Sequence, residues 1–190
     1  MDVTRHRDTV RHRYAVEGWG VGELTVCGDV LVAHAFPSRQ RRASPPGESP
    51  NGGASIPEVT LADDLSQERD SFVSDLCRRL RKHLAGTRTT YDDVAVDGEG
   101  LGPFQRELLD AARSIGWGEV VTYGGLAALA GRPRAARAAG TFCAVSRLAL
   151  VVPCHRVVAA GRGEPFELGG YGAPGGHLKR RLLAVEGTIL

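Results

Sequence analysis

The sequence predicts an α+β fold: a small N-terminal α/β domain on an antiparallel sheet, then a mostly helical, winged-helix-like domain containing a helix-turn-helix. Three observations carry this. Residues 13–36 hold three short β-prone runs separated by glycine-containing turns, the pattern of a small antiparallel meander. Residues 61–85 and 103–115 carry apolar residues at three- and four-residue spacing, the period of a helix. Residues 124–142 read as two short helices divided by Gly131, the arrangement of a helix-turn-helix.

At 190 residues the chain has room for one ordinary domain or two small ones. We divide it into a flexible tail at 1–12, the small N-terminal domain at 13–98 and the second domain at 99–190. Apolar residues make up 42% of the chain and charged residues 24%, enough to build a core under a polar surface. A formal charge of +2 excludes a generally basic protein, so any nucleic-acid surface must come from local clustering. Cys27, Cys77, Cys143 and Cys154 are widely spaced, with no C-x-x-C, which signals neither a disulfide framework nor a zinc ribbon. Reduced thiols imply a cytoplasmic setting. The charged start, Met1–Arg13, is not that of a secretory signal, and no apolar run approaches the roughly 20 residues that span a bilayer.

Strands are expected at 13–17, 22–27 and 30–36. From 37 to 57 the composition turns to Ser, Pro, Gly, Asn and Arg, which cannot bury apolar surface and reads as a flexible insert. A helix over 61–85, capped by Asp64 or Ser66, presents Phe72, Val73, Leu76, Leu80 and Leu84 on one stripe and stops at Gly86. A last strand of this unit is expected at 91–96, before the turn-rich junction 97–102. Pro103 opens the next helix, with Phe104, Leu108, Ala112 and Ile115 on one face. Thr122 caps a short helix at 124–130 whose Leu126 and Leu129 are expected to point inward. Pro133 opens its partner, running to about Phe142. Leu148–Val152 reads as a buried strand.

That apolar run ends in Pro153-Cys154-His155-Arg156-Val157. A free thiol of pKa roughly 8.5 is mostly protonated at neutral pH, and it reacts as the thiolate. An imidazole beside it makes a candidate activated nucleophile. Taken alone, such a pair is more often a core cysteine next to a satisfied histidine. The second helix of the helix-turn-helix carries Arg132, Arg134 and Arg137 among Ala135, Ala136, Ala138, Ala139 and Gly140. Small residues let a helix approach another backbone closely, and arginines reach phosphates or base edges.

With these elements together, the chain resembles the O6-alkylguanine-DNA alkyltransferases, also called methylated-DNA–protein-cysteine methyltransferases. The matching blocks are Gly102–Arg106, Gly118–Tyr123, Leu126–Gly131, Ala135–Gly140, Val152–Val158, Gly169–Gly172 and Lys179–Gly187. The N-terminal half matches only in its order of elements and its Gly22–Thr25 hairpin. The resemblance implies that Cys154 accepts the alkyl group from guanine O6. It implies that His155 takes the thiol proton through a water, and that Glu186 orients and charges His155. Tyr123 would help rotate the nucleotide out of the stack and offer a proton to the leaving guanine, with Arg137 entering the vacated space. The implied DNA-binding set is Thr122, Tyr123, Arg132, Arg134, Ala135 and Arg137. Val157, Tyr171 and Gly172 would line the alkyl pocket.

Two departures from the family pattern stand out. Ser146 and Arg147 occupy the positions of an Asn-Pro pair, and Ser146 offers a shorter arm with one donor in place of an amide. The segment 161–168 is longer than usual and lies beside the implied pocket. Some members bind zinc in the small domain, but Cys27 and His34 do not reproduce such a set, so no metal is expected. No cofactor is expected either. The sequence thus points to direct-reversal repair of duplex DNA containing O6-alkylguanine, by a cytoplasmic monomer (nucleoid-associated in a bacterium) with no membrane partner. The alternative is an alkyltransferase-like protein that binds the lesion without transfer; such relatives usually replace the cysteine. A cysteine hydrolase is a distant third reading that leaves the helix-turn-helix unexplained.

Overall fold

The computed structural model describes residues 8–38, 60–61, 71–161, 166–171 and 175–188. Strands β1 (Val10–Val16), β2 (Gly20–Cys27) and β3 (Val30–Ser38) form the expected antiparallel meander, in register Tyr14↔Gly22 and Leu24↔His34. Gly22 is required where it stands: a Cβ there would lie 2.7 Å from the Tyr14 ring. β3 runs on through Pro37 into the segment assigned to the insert. A two-residue strand, β4 (Thr60–Leu61), pairs parallel to β1, which gives the order β3-β2-β1-β4. Leu61 therefore belongs to the sheet and not to a helix. Helix α1 (Ser71–Leu84) follows, and the proposed caps Asp64 and Ser66 lie outside the described residues. Its buried stripe is Val73, Leu76, Cys77, Leu80, His83 and Leu84, packed on β1.

The strand expected at 91–96 does not form. Val94 turns back to hydrogen-bond Tyr91, and the Arg113 guanidinium takes the carbonyls of Tyr91, Asp92 and Val94 at 2.8, 3.0 and 2.9 Å. With these acceptors engaged by a side chain, only Val96 bridges the sheet, parallel to Leu31.

Helix α2 (Pro103–Arg113) begins at its proline, with the Gln105 side chain accepting the Gly102 N–H at 2.9 Å. Strand β5 (Val121–Thr122) leads into α3 (Tyr123–Leu129), where Thr122 Oγ1 caps Gly125 N–H at 3.0 Å, and then α4 (Ala136–Val145). The helix-turn-helix is present, three residues later than expected at its second helix. Leu129 is 59% exposed, contrary to the inward placement. Leu126, Ala127 and Ala130 occupy one arc of this short helix, and Leu129 falls outside it.

Leu148, Leu150, Val151 and Val152 are buried, as expected, with Ala149 half-buried, but the run is not a strand. It folds on itself: Val151 N–H reaches Ala149 O at 2.9 Å and Val152 N–H reaches Leu148 O at 2.8 Å. Leu150, fully buried, takes φ 66°, the single non-glycine positive φ among the described residues. Such a backbone costs about 1–2 kcal/mol and persists only where its surroundings fix it. One constraint is β3, where His34 N–H holds Arg147 O at 2.7 Å and its ring Nδ1 meets Ala149 O at 2.6 Å. The loop is thus pinned by the N-terminal sheet. A 3-10 turn, Cys154–Arg156, then leads into β6 (Val157–Ala160), which pairs parallel to β5 and antiparallel to β7 (Phe166–Glu167). Helix α5 (Gly175–Val185) closes the described chain. Buried residues from Tyr14 through Leu182 form one continuous core. No described helix is long and apolar enough to cross a membrane.

Candidate active site

Cys154 sits at the start of the 3-10 turn and is 4% exposed. Burial by itself raises a thiol's pKa. Here the pKa is lowered instead. The largest cause is a hydrogen bond from the Cys143 thiol, which outweighs burial together with the Ser146 hydroxyl and the positive charge of Lys179. Cys143 moves the other way, pushed up by the same hydrogen bond and by burial, so it remains the donor. Cys143 and Ser146 stand three residues apart at the end of α4, so one helix terminus supplies both donors. Ser146 therefore reaches the Cys154 thiol, and its Oγ also takes Leu148 N–H at 3.5 Å.

Lys179 comes from α5 and is completely buried. Its Nζ donates to Val157 O at 2.5 Å and to Gly170 O at 3.4 Å. Burial brings its pKa down to about 8, against the pull of Cys143 and Cys154.

Beside the thiol lies a buried carboxylate hub. His155 Nε2 is 2.9 Å from Glu186 Oε1. Arg156 grips both oxygens, Nε to Oε2 at 2.9 Å and NH2 to Oε1 at 2.8 Å, while its NH1 holds Ile115 O at 2.6 Å. Gly118 N–H adds a contact at 3.4 Å, and His83 Nε2 lies 3.0 Å from Oε1. Burial would raise the Glu186 carboxyl, but hydrogen bonds from His155, His83 and Arg156 outweigh it and hold it far below the carboxylate range. Burial lowers His155 to about 4, only partly offset by Glu186, so the ring is neutral at pH 7. A carboxylate only accepts, so the proton of neutral His155 stands on Nε2 and Nδ1 is left as a base. Nδ1 is buried, with no hydrogen-bond partner among the described residues.

His83, His155 and Glu186 offer metal-ligand atom types within 4.8 Å of one another. Both histidine Nε2 atoms face the carboxylate, and both carboxylate oxygens carry the Arg156 guanidinium. A metal ion would have to evict that cation. The set fits a proton relay better than a metal centre.

The remaining expected residues are placed as follows. Tyr123 opens α3 and donates its hydroxyl to Gly170 O at 3.1 Å; burial raises its pKa, so it stays protonated. Lys179 Nζ lies 5.5 Å from its ring centroid. Val157 is buried, and Tyr171 packs edge-on against Phe36 at 6.4 Å. Gly172 and residues 162–165 of the long segment beside the pocket lie outside the described residues. Arg134 and Arg137 are exposed, with Ala135 half-buried between them. Arg132 is exposed too, but its guanidinium stacks over Phe104 at 4.6 Å and lies 3.6 Å from Glu107. It is thereby held against α2.

Four residues of the site carried no assignment in the sequence reading: Cys143, Arg156, Lys179 and His83. Two had a readable signal. Lys179 continues the helical stripe of Leu182, Leu183 and Glu186, and His83 continues that of Val73, Leu76 and Leu80, so each is a polar residue on an apolar face.

Burial also lowers His34 to about 4; its ring sits between the Tyr14 hydroxyl at 2.5 Å and Ala149 O. Two buried histidines, His34 and His155, therefore resist protonation until about pH 4, whereas unfolded histidine accepts a proton near 6.5. Between these values the unfolded chain binds more protons, so stability falls as pH drops from about 6.5 towards 4, by up to about 3 kcal/mol per histidine. Glu186, with its depressed pKa, withdraws stability below the ordinary carboxylate value, in the same direction. Urea midpoints should fall steeply across this window. A midpoint flat down to pH 5 or so would contradict neutral buried rings.

A family profile described as "6-O-methylguanine DNA methyltransferase, DNA binding domain" matches residues 103–188. The chain is 35% identical over 129 residues to the methylated-DNA–protein-cysteine methyltransferase of Metallosphaera sedula, covering 68% of this chain and 76% of that protein. It is 42% identical over 115 residues to the protein of the same name from Salmonella typhimurium, covering 60% and 64%. In structure it is similar to Mycobacterium tuberculosis OGT, solved in complex with DNA: TM-score 0.64, 29% identity, 93% of each chain.

Proposed function

The chain belongs to the methylated-DNA–protein-cysteine methyltransferase family, and on that premise we propose that Cys154 is its alkyl acceptor and O6-alkylguanine in DNA its substrate. The protein repairs DNA by direct reversal, moving an alkyl group from the damaged base onto one of its own cysteines. One observation carries the residue assignment: Cys154, a thiol whose pKa is lowered by the Cys143 and Ser146 hydrogen bonds, adjoins a neutral His155 whose Nδ1 is unengaged and whose Nε2 is fixed by Glu186.

The chemistry follows from these atoms. His155 Nδ1 takes the Cys154 proton, through one bridging water where the two are not in contact. Cys154 Sγ forms a bond to the alkyl carbon as the bond from that carbon to guanine O6 breaks, and the electron pair stays with the guanine. The Tyr123 hydroxyl, protonated and close to the thiol, supplies the proton that the leaving guanine needs. The balance closes with DNA as the alkyl donor and no cofactor. A thioether is stable, so each molecule reacts once. Cys143, Ser146 and Lys179 stabilise the sulfur anion once His155 has taken its proton.

A stacked, paired base cannot bring its alkyl group in line with a buried thiolate, so the nucleotide must leave the duplex. Arg137, exposed at the start of α4, fills the gap in this reading, with Arg134 and Arg132 beside it for the backbone. Thr122, Tyr123 and Ala135 complete the contact surface, and Val157, Tyr171 and Gly172 the alkyl pocket. We assign residues 99–190 to this DNA-binding and acceptor unit and 13–98 to the small domain that braces it, acting as a monomer. The non-transferring alternative finds no support in the relatives.

The test is the mass of the intact protein after exposure to a duplex carrying one O6-methylguanine. One methyl per chain is expected, in the peptide that holds Cys154. No gain, or a methyl on another peptide, overturns the assignment.

A further inference from the structure

Glu186 is held from the C-terminal half by His155 and Arg156, but one of its contacts comes from the N-terminal half. His83, in the last turn of α1, is completely buried, and its Nε2 lies 3.0 Å from Glu186 Oε1. Its other nitrogen, Nδ1, is 3.2 Å from the Tyr91 hydroxyl. The ring stacks on Tyr91 at 5.8 Å, tilts against Trp117 at 4.7 Å and meets the His155 ring edge-on at 6.0 Å. A residue wanted only for packing here would be a leucine or phenylalanine, as the rest of the α1 stripe is apolar.

We infer that His83 is a positioning residue for alkyl transfer: through a Tyr91–His83–Glu186 chain the N-terminal half sets the carboxylate that orients His155. This rests on the acceptor reading above. The direction of the chain is fixed by its end. Glu186 only accepts, so neutral His83 carries its proton on Nε2 and its Nδ1 accepts from the Tyr91 hydroxyl. Glu186 Oε1 takes N–H groups from His155 and Arg156, and the His83 Nε2 proton faces the same oxygen at 3.0 Å, off the line of a well-aligned hydrogen bond and with no other partner. Each donor shares the negative charge, so His83 weakens the hold of Glu186 on a protonated His155 and keeps that ring a base. The charged and titratable groups facing this chain are Glu186, Arg156 and His155 from the C-terminal half, and Tyr91, Arg79 and His34 from the N-terminal half. Burial keeps His83 neutral, lowering its pKa against the pull of Glu186.

His83→Phe keeps the ring against Tyr91 and Trp117 and removes the donor. Methyl transfer from an O6-methylguanine duplex, followed from roughly pH 5 to 8, should slow about 10-fold, a typical loss for one hydrogen bond to a charged group. Its acid limb should move to higher pH, because His155 protonates more readily. His83→Gln, whose amide N–H can reach the same oxygen, should recover to within about 3-fold of the wild type with the limb restored. Phe at the wild-type rate with an unmoved limb overturns the inference, as does equal slowing of Phe and Gln with an unmoved limb, which would make His83 a packing residue only. Should the Phe variant fail to fold, 15N NMR of the wild-type histidines decides: an Nε2–H tautomer at His83 upholds the chain and an Nδ1–H tautomer breaks it. A wild type that gains no methyl would strike the acceptor reading instead, and the tautomer would still judge His83.

Discussion

Cys154→Ala ends methyl transfer while leaving the fold and the DNA-binding surface in place. The loss should be about 10⁴-fold or more, the scale seen when a nucleophile itself is removed. The variant is informative because another thiol stands close by. Cys143 hydrogen-bonds Cys154 and is pushed up by that bond and by burial. Deleting Cys154 removes the acceptor but not the burial, so Cys143 stays a neutral thiol with no base aimed at it. It cannot take over. The exposed arginines Arg132, Arg134 and Arg137 are unaffected, so gel shift with a methylated duplex should be retained as intact mass stays unchanged. A methyl appearing on Cys143 in this variant would mean that the pocket, not the Cys154–His155–Glu186 arrangement, activates the sulfur. Replacing one small buried side chain by another leaves little empty volume, so the melting temperature should hold within a few degrees.

The parts that could be read from the sequence are those governed by local pattern. Strand alternation in β1 to β3, the stripe of α1, Pro103 at the head of α2 and the Thr122 cap are each decided within a few residues. The Cys154–His155 turn was legible through its motif. What escaped depends on partners far away in the chain. Residues 91–96 have the composition of a strand, but Arg113, about twenty residues on, takes their carbonyls. Leu148–Val152 has the composition of one too, but Arg147, Ala149 and β3 fold it into a knot with Leu150 at positive φ. Leu129 was assigned inward by a spacing that a seven-residue helix is too short to decide. The environment of Cys154 is the clearest case. Sequence adjacency pairs it with His155, yet the hydrogen bonds that lower its pKa come from Cys143 and Ser146, on another helix. The Ser146 departure, which looked like a weakness in the pattern, is matched by a second donor, Cys143, from the same helix end.

Glu186→Gln should both unfold the protein more readily and slow transfer, and the two losses have separate causes. The carboxylate is fully buried and is the counter-charge of Arg156, whose side chain is 8% exposed. Glutamine keeps the shape but leaves the guanidinium buried beside a neutral amide, the situation in which breaking a buried pair costs about 3–5 kcal/mol. For a chain of this length that is a drop on the order of 10 °C in melting temperature. Transfer falls for another reason. His155 loses the anion that fixes its proton on Nε2, and glutamine can present its NH₂ to the ring and invert the tautomer, so Nδ1 no longer accepts. Loss of a positioned general base is worth about 10²–10⁴-fold. Arg156→Met distinguishes the two: it removes the cation and leaves the carboxylate facing His155 and His83, so it should destabilise comparably yet keep far more of the transfer rate. If Arg156→Met and Glu186→Gln lose transfer in equal measure at temperatures where both are folded, the carboxylate serves the architecture alone and His155 draws its orientation from elsewhere.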